Sequence, residues 1–345
     1  MSFEIHITDK EIAKAFKNTT VKIGYRILNN RITENTVVGV LGLSIFCARI
    51  LDKVFHTRLN RALIDRMHDI SRDRLNRLRI TQIKHIFRKK FNLSKTRVKL
   101  AGGSYWLSIP CIVEGIDKKT KKEKKYMAKM INGMSALKHR YMSHMRNLGV
   151  MVEGADLKFD DYADARDMLI FERDSLNMLR SKSINTPDVL GLYRLNEDDY
   201  ILVMEFIEGR PLSKVDLKDK DMDNIFSIMK TMHDNGLVHG DIKLDNFIYS
   251  GGRVFVLDCL KIDSSRLASA QAFDLMAAIC ALSQKVDVDT VIGHAKKYFS
   301  EHELSMAGGM LGVTFNKVDL DLSRETIDRL ENMFRKHHEE PVTAT

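Results

Sequence analysis

Proline is scarce in this chain, four in 345 residues, and no run rich in glycine, serine or any single residue type interrupts it. Long disordered linkers of such composition are therefore not expected. Cysteine is equally sparse. Cys47, Cys111, Cys259 and Cys280 stand far apart, with no Cys-x-x-Cys pair and no histidine at zinc-finger spacing. That argues against a disulfide framework or a structural zinc site, and for free thiols in a reducing compartment. The N-terminus lacks the basic-then-apolar order of a signal peptide. The longest uncharged apolar stretch, Thr36 to Ala48, falls short of the roughly 20 residues that a membrane-spanning helix needs. The expected location is cytoplasmic, with peripheral contact to a membrane left open.

What the chain does have is charge, unevenly spread. The net charge is +9, but residues 1–99 hold 22 Lys+Arg against 8 Asp+Glu, so this stretch carries +14 and the remainder −5. Within residues 58–90 the apolar Leu59, Leu63, Met67, Ile70, Leu78, Ile83 and Ile86 share the stretch with Arg61, Arg66, Arg72, Arg74, Arg77, Arg79, Arg88, Lys89 and Lys90. A basic amphipathic helix suits nucleic acid, the ribosome, an anionic membrane or a protein partner. The plainer alternative is that its apolar side packs on neighbouring helices while the arginines face water.

Near Thr96 the pattern changes from helical to extended. Arg97–Leu100, Tyr105–Val113 and Tyr126–Ile131 read as strands, with Gly102-Gly103 between the first two and a lysine-rich turn over Asp117–Lys125. A polar-interrupted helical stretch follows, then a strong helix over Asp160–Arg180. Val189–Tyr193 and Tyr200–Phe206 read as strands ending at the turn Glu208-Gly209-Arg210-Pro211. Asp221–Asp234 reads as a helix capped by Asn235-Gly236. A loop, a short strand, the turn Ser250-Gly251-Gly252 and a strand over Arg253–Leu257 come next; everything after Ser264 reads as mainly helical. Five strands with a helix inserted, then helices with a small hairpin, make an α+β pattern in two lobes.

The loop carries His239-Gly240-Asp241-Ile242-Lys243-Leu244-Asp245-Asn246, and the strand after the Gly251-Gly252 turn delivers Asp258 behind Val254-Phe255-Val256-Leu257. An acidic residue closing an apolar strand needs a partner or a task. Upstream, Lys129 sits among apolar residues in Tyr126-Met127-Ala128-Lys129-Met130-Ile131. Glu172 falls on the apolar face marked by Leu169, Leu176 and Leu179, where a carboxylate wants a cation.

Together these residues resemble the protein-kinase-like superfamily, most closely its atypical branch of RIO-type kinases, lipopolysaccharide (Kdo) kinases and the kinase associated with tRNA threonylcarbamoylation. The resemblance covers roughly residues 96–285. It implies a two-lobed kinase-like fold: a basic helical extension over residues 1–95, an N-lobe of five strands plus a helix over 96–208, and a reduced helical C-lobe over 209–345. It implies ATP and Mg2+ as cofactors. Asp241 would position the acceptor hydroxyl and take its proton, and Lys243 would contact the transferring phosphate. Asn246 and Asp258 would bind the metal, and Lys129, paired with Glu172, would anchor the phosphates. Gly102 and Gly103 would cover the phosphates; backbone groups of Glu205 and Ile207, in Met204-Glu205-Phe206-Ile207, would meet the adenine. Asp274 would brace the catalytic loop.

The departures also matter. Asp258-Cys259-Leu260 replaces the usual Asp-Phe-Gly, and only fifteen residues separate Asp258 from Asp274, with no Ala-Pro-Glu between them. The peptide-docking activation segment is nearly absent. The acceptor is expected to be a protein serine or threonine, narrowly ahead of a small molecule or lipid-linked sugar. A pseudokinase that uses ATP to switch binding is the rival from another class. Two further motifs are set aside. Asp219-x-Asp221-x-Asp223 opens like a calcium loop, but Asn224 and Lys230 stand where that loop needs Gly and Glu. His337-His338 reads as a solvated helix end.

Overall fold

The computed structural model describes Leu75 and residues 77–101, 107–197, 199–315, 317 and 320–339, apart from the side chains of Met134, Leu137 and residues 335–339. Expectations for residues 1–74, for Gly102, Gly103 and Tyr105, and for the side chains of His337-His338 lie outside the described residues. The chain divides into two compact units, Met1–Thr81 and Gln82–Thr345. Of the first, only Leu75 and the opening turn of a helix are described.

That helix, α1 (Arg77–Lys90), ends on Arg88, Lys89 and Lys90, cations that suit the negative end of its dipole. Its residues Ile83 and Phe87, four apart on one face, are fully buried. Phe87 stacks on Phe91 with ring centroids 4.8 Å apart and tilts against Tyr126 at 5.5 Å. The second unit thus begins upstream of the boundary expected at residue 95, because these aromatic contacts tie the helix end to the sheet.

The large sheet is antiparallel throughout, in the order β1-β2-β3-β5-β4. Its strands are β1 (Leu93–Leu100), β2 (Ile109–Asp117), β3 (Glu123–Ile131), β4 (Val189–Arg194) and β5 (Tyr200–Glu205). The first strand starts earlier than the sequence pattern suggests. Leu93 is buried, and an irregularity between Ser94 and Arg97, with Lys95 at φ 49°, hides the alternation that would announce it. The second strand runs past Val113 to Asp117, with alternate residues buried along its length. Asp117 is the reason. Lys124 and the Thr120 and Lys119 amides hold its carboxyl down to about 2, so an acidic residue that reads as loop closes the hairpin instead.

Two helices lie between β3 and β4. The first, α2 (Gly133–Val152), opens with a reciprocal cap between Asn132 and Ser135. The second, α3 (Ala165–Ser181), starts at Ala165 rather than near Asp160, because Asp164 accepts the Asp167 N–H and sets the helix start there. The preceding residues are extended, with Phe159 bridged to Ile262.

The chain leaves the sheet at Phe206 and enters a small second sheet, β6 (Arg210–Pro211), β7 (Phe247–Ser250) and β8 (Arg253–Val256). The same lobe holds α4 (Asp219–Asp234), α5 (Leu267–Ser283), α6 (Val288–Ala295), α7 (Glu301–Gly308), α8 (Leu311–Phe315) and α9 (Arg324–Glu339), with α4, α6, α7 and α8 packed on α5. Helix α5 is buried on nearly every side from Ala270 to Ser283, as expected of a helix at the centre of a lobe. The fold is α+β in two lobes, an antiparallel sheet lobe followed by a helical one. No helix among the described residues is long and apolar enough to cross a membrane.

Phe87 tests where the second unit begins. Phe87→Ala is expected to cost about 3–5 kcal/mol in a urea unfolding series, the range for emptying a buried aromatic site. Met178→Ala, at an exposed position of α3, should stay within about 0.5 kcal/mol.

Candidate active site

Lys129 occupies the position on β3 where a side chain can leave the sheet toward the helical lobe. Its ammonium meets both oxygens of Glu172 on α3, at 3.0 and 2.9 Å, and also Oδ1 of Asp258. Burial works against the Lys129 charge, but Asp258 and Glu172 outweigh it and hold the proton on firmly. Two carboxylates share one ammonium here. Burial, and Asp258 beside it, push Glu172 upward despite Lys129, whereas Lys129 keeps Asp258 ionised against its own burial.

Asp258 follows β8 with φ 56°, a left-handed conformation that aspartate tolerates better than most residues. Although it lies deep in the cleft, 45% of its side chain remains open. The Leu257 N–H donates to the Asn246 carbonyl and the Leu260 N–H to that of His239, so the segment is laced to the catalytic-type loop on both sides of Asp258.

The loop itself is held from below. Asp274, on α5, accepts the His239 N–H and, at 2.8 Å, the Gly240 N–H. Gly240 has φ 78°, and a Cβ there would lie 2.7 Å from the Leu260 carbonyl oxygen, so the loop needs glycine at this point. The His239 imidazole is buried and depressed to about 4 by that burial; its Nδ1 accepts the Asp241 N–H at 3.2 Å. It braces the loop.

Asp241 and Asn246 then face each other. The Asn246 amide donates to the Asp241 carbonyl at 2.9 Å and leans on Oδ2 at 3.4 Å, which turns its own side-chain oxygen the other way. Lys243 also approaches Oδ2, at 3.3 Å. Two cations that sequence reasoning missed approach the opposite oxygen: Lys317 at 3.1 Å and Arg146 at 3.5 Å from Oδ1. Burial opposes ionisation of Asp241, yet Lys243, Lys317 and Arg146 hold its carboxyl well below the usual range. Arg146 had a signal in the sequence: His139 and Arg146 lie seven apart, on one face of α2. Lys317 had none, because it belongs to the irregular chain after α8.

At the lobe junction, Glu205 spends its N–H on the Asp188 carbonyl at 2.8 Å and accepts the Asp188 N–H on its side chain. The Ile207 N–H has no protein acceptor among the described residues, which leaves a donor at the position where the hinge was expected. Gly102 and Gly103 lie outside the described residues. Asp219 and Asp223 pair with His294 on α6 and so hold helices together.

Gly240→Ala should lower stability by at least about 1–2 kcal/mol, the cost of forcing a side chain into the left-handed region. The contact with the Leu260 carbonyl adds to it. A lower denaturation midpoint at unchanged denaturant dependence checks this.

Comparison with known proteins points the same way. Residues 116–264 match the family profile "RIO1: RIO domain". The serine/threonine-protein kinase PrkC of Bacillus subtilis (strain 168) is 31% identical over 103 residues, 27% of this chain and 15% of that protein. The KEOPS complex subunit Bud32 of Pyrococcus abyssi (strain GE5 / Orsay) is 26% identical over 117 residues, 32% of this chain and 51% of the relative. The chain thus spans about half or less of the length of these curated relatives. A solved chain named as a fructosamine-3-kinase of Haemophilus somnus 129PT aligns over 74% of this chain and 96% of its own, at 10% identity and a TM-score of 0.42, a likeness on which nothing below rests. The family match runs from β2 through the catalytic-type loop to the residues after Asp258, and over that stretch the chain is similar to atypical protein-kinase-like proteins.

Proposed function

We propose that the protein is an ATP- and magnesium-dependent kinase that transfers the γ-phosphate to a hydroxyl of an acceptor, a protein serine or threonine in the first reading. The observation that carries this is the convergence of Lys129, Glu172 and Asp258 with Asp241 and Asn246 in one cleft, drawn from β3, α3 and both ends of the β7–β8 hairpin.

The residues present fit the expected metal. Asp258 and the side-chain oxygen of Asn246 are hard oxygen donors of the kind magnesium takes, with phosphate oxygens completing its shell. The Lys129 cluster sets two carboxylates against one ammonium, and the open side of Asp258 is free to take a cation. Magnesium bound there supplies charge neutralisation for the phosphates. Lys129 would bind phosphate oxygens, and Glu172 would keep its ammonium aimed at them. The Ile207 N–H would donate to an acceptor nitrogen on the adenine edge.

Asp241 would orient the acceptor hydroxyl and take its proton. Three neighbouring cations make it a weak base, which suits a loose phosphoryl transition state in which positioning counts more than proton abstraction. Lys243, on the Oδ2 side with Asn246, would meet the transferring phosphate; this favours the serine/threonine reading. A small-molecule acceptor is the second reading. It is favoured by the near-absent activation segment and by Asp241 being only 14% exposed beneath its cations.

Purified protein should turn over ATP in a magnesium-dependent manner. Asp258→Ala should abolish transfer and weaken MgATP binding more than binding of metal-free ATP, while the circular dichroism melt persists; undiminished turnover would remove Asp258 from the site. Asp241→Asn keeps the shape and should slow turnover by about 10²–10⁴-fold with little change in ATP affinity. Absence of any turnover in the parent protein, alongside tight ATP binding, would instead favour an ATP-switched binding protein.

A further inference from the structure

The Asp241 carboxylate has two sides, and its neighbours sort themselves between them. On Oδ2 lie Lys243 and the Asn246 amide, the groups that look toward metal and transferring phosphate. On Oδ1 lie Lys317 and Arg146, which have no such assignment. The Lys317 side chain is 6% exposed, and its backbone is pinned by donation from its own N–H to the Thr314 carbonyl at 2.9 Å. Arg146 comes from the opposite lobe, on α2, its guanidinium 5.5 Å from the Phe159 ring.

These two cations are under-supplied with acceptors. One carboxylate oxygen serves both, and among the described residues Asp241 is the only acidic partner of either. The Arg146 Nη1 is buried with no hydrogen-bond partner. A buried guanidinium nitrogen without an acceptor is costly and calls for a missing one. A ligand of opposite charge would supply it. The nucleotide phosphates are already matched, in the reading above, by Lys129, Lys243 and the metal.

We propose that Arg146 and Lys317 form an anion subsite on the acceptor side of Asp241, so that the hydroxyl receiving the phosphate belongs to a small molecule bearing a phosphate or carboxylate next to it. The inference rests on the kinase reading and, within it, favours the second acceptor, a small molecule, over the protein serine or threonine. Arg146 offers the fork that grips a planar carboxylate or a phosphate, and Lys317 adds a point charge to the same anion. In the ligand-free protein Asp241 holds both cations in place; on binding, the anion takes them over and leaves Oδ1 to the acceptor hydroxyl. A neutral acceptor, or a peptide carbonyl, can accept a hydrogen bond from either cation but brings no charge to replace that of Asp241.

The test uses the full chain saturated with magnesium and the non-hydrolysable ATP analogue AMP-PNP, so that the γ-phosphate position is filled. Inorganic phosphate, acetate and neutral acetamide are then titrated calorimetrically at constant ionic strength. Binding of phosphate or acetate, with acetamide silent, is expected, and whichever of the two binds more tightly identifies the class of anion. Lys317→Met and Arg146→Met should each weaken that binding by about tenfold or more, as loss of a charged hydrogen bond implies. Lys317→Arg should retain it. AMP-PNP affinity within twofold of the parent shows that each variant is folded. The proposal is overturned if AMP-PNP binds but neither anion does, or if both Met variants leave anion binding unchanged. It is also overturned if the Met variants weaken AMP-PNP but not ADP, since the cations would then serve the γ-phosphate. Failure of AMP-PNP to bind at all sinks the kinase reading itself, and with it this subsite.

Discussion

The cleft depends on one ammonium placed between two carboxylates. Lys129 belongs to the sheet, Glu172 to a helix packed on it, and Asp258 to the segment leaving β8 in the other lobe. Lys129 and Glu172 are not tolerable alone at this depth: removing one partner from a buried ion pair costs about 3–5 kcal/mol because a bare charge remains. The mutual need of these groups therefore fixes the register of three separate chain segments. The same interaction presents Asp258 to the cleft with 45% of its side chain open, so the constraint that closes the structure also exposes a metal-type ligand.

A second polar anchor works beneath the loop. Asp274 sits on α5, whose surroundings are otherwise apolar from Ala270 to Ser283, and a carboxylate there must be satisfied on the spot. It accepts the His239 and Gly240 amides and so converts a burial problem into a loop constraint. Gly240 and the neutral, buried His239 then leave Asp241 little freedom. The loop is held because its supports are polar groups buried in an otherwise apolar lobe, where giving up a pairing is costly. Rigid placement matters more here than basicity, since phosphoryl transfer gains chiefly from positioning and electrostatics.

Much of this was legible in the chain. Lys129 stood out as a lysine inside an apolar strand and Glu172 as a carboxylate on an apolar helix face. Both signals work because burying a charge without a partner is so unfavourable that the partner can be inferred. Asp274 was expected from the kinase resemblance alone. The misses have equally physical origins. The start of β1 was hidden by its irregularity after Ser94, and the end of β2 by Asp117, whose carboxylate serves turn amides rather than solvent. Helix α3 was extended too far upstream because Asp160, Asp161 and Asp164 look alike in sequence, while only Asp164 caps. Lys317 lies in irregular chain with no period to mark its facing, and a lone lysine there reads as solvated.

Those missed cations bear on what the cleft selects. Kinases that act on peptides present their base beside a long segment that docks the substrate chain, and this chain has fifteen residues where that segment would stand. The space beside Asp241 is filled instead by side chains from α2 and from the chain after α8, elements of both lobes. A base covered in this way is reached only by an acceptor that can replace what covers it. Two cations leaning on one oxygen are displaced most readily by a group that satisfies them better than Asp241 does, which is an anion. Selectivity would then arise as it does wherever buried charge is left under-paired. The correct ligand relieves the mismatch, and a neutral competitor must break the pairs with Asp241 and return only the weaker hydrogen bonds of uncharged oxygens. The excess of positive charge on the Oδ1 side follows from the ion pairs already described, and it makes the charge of the acceptor, more than its size, the property this cleft can discriminate.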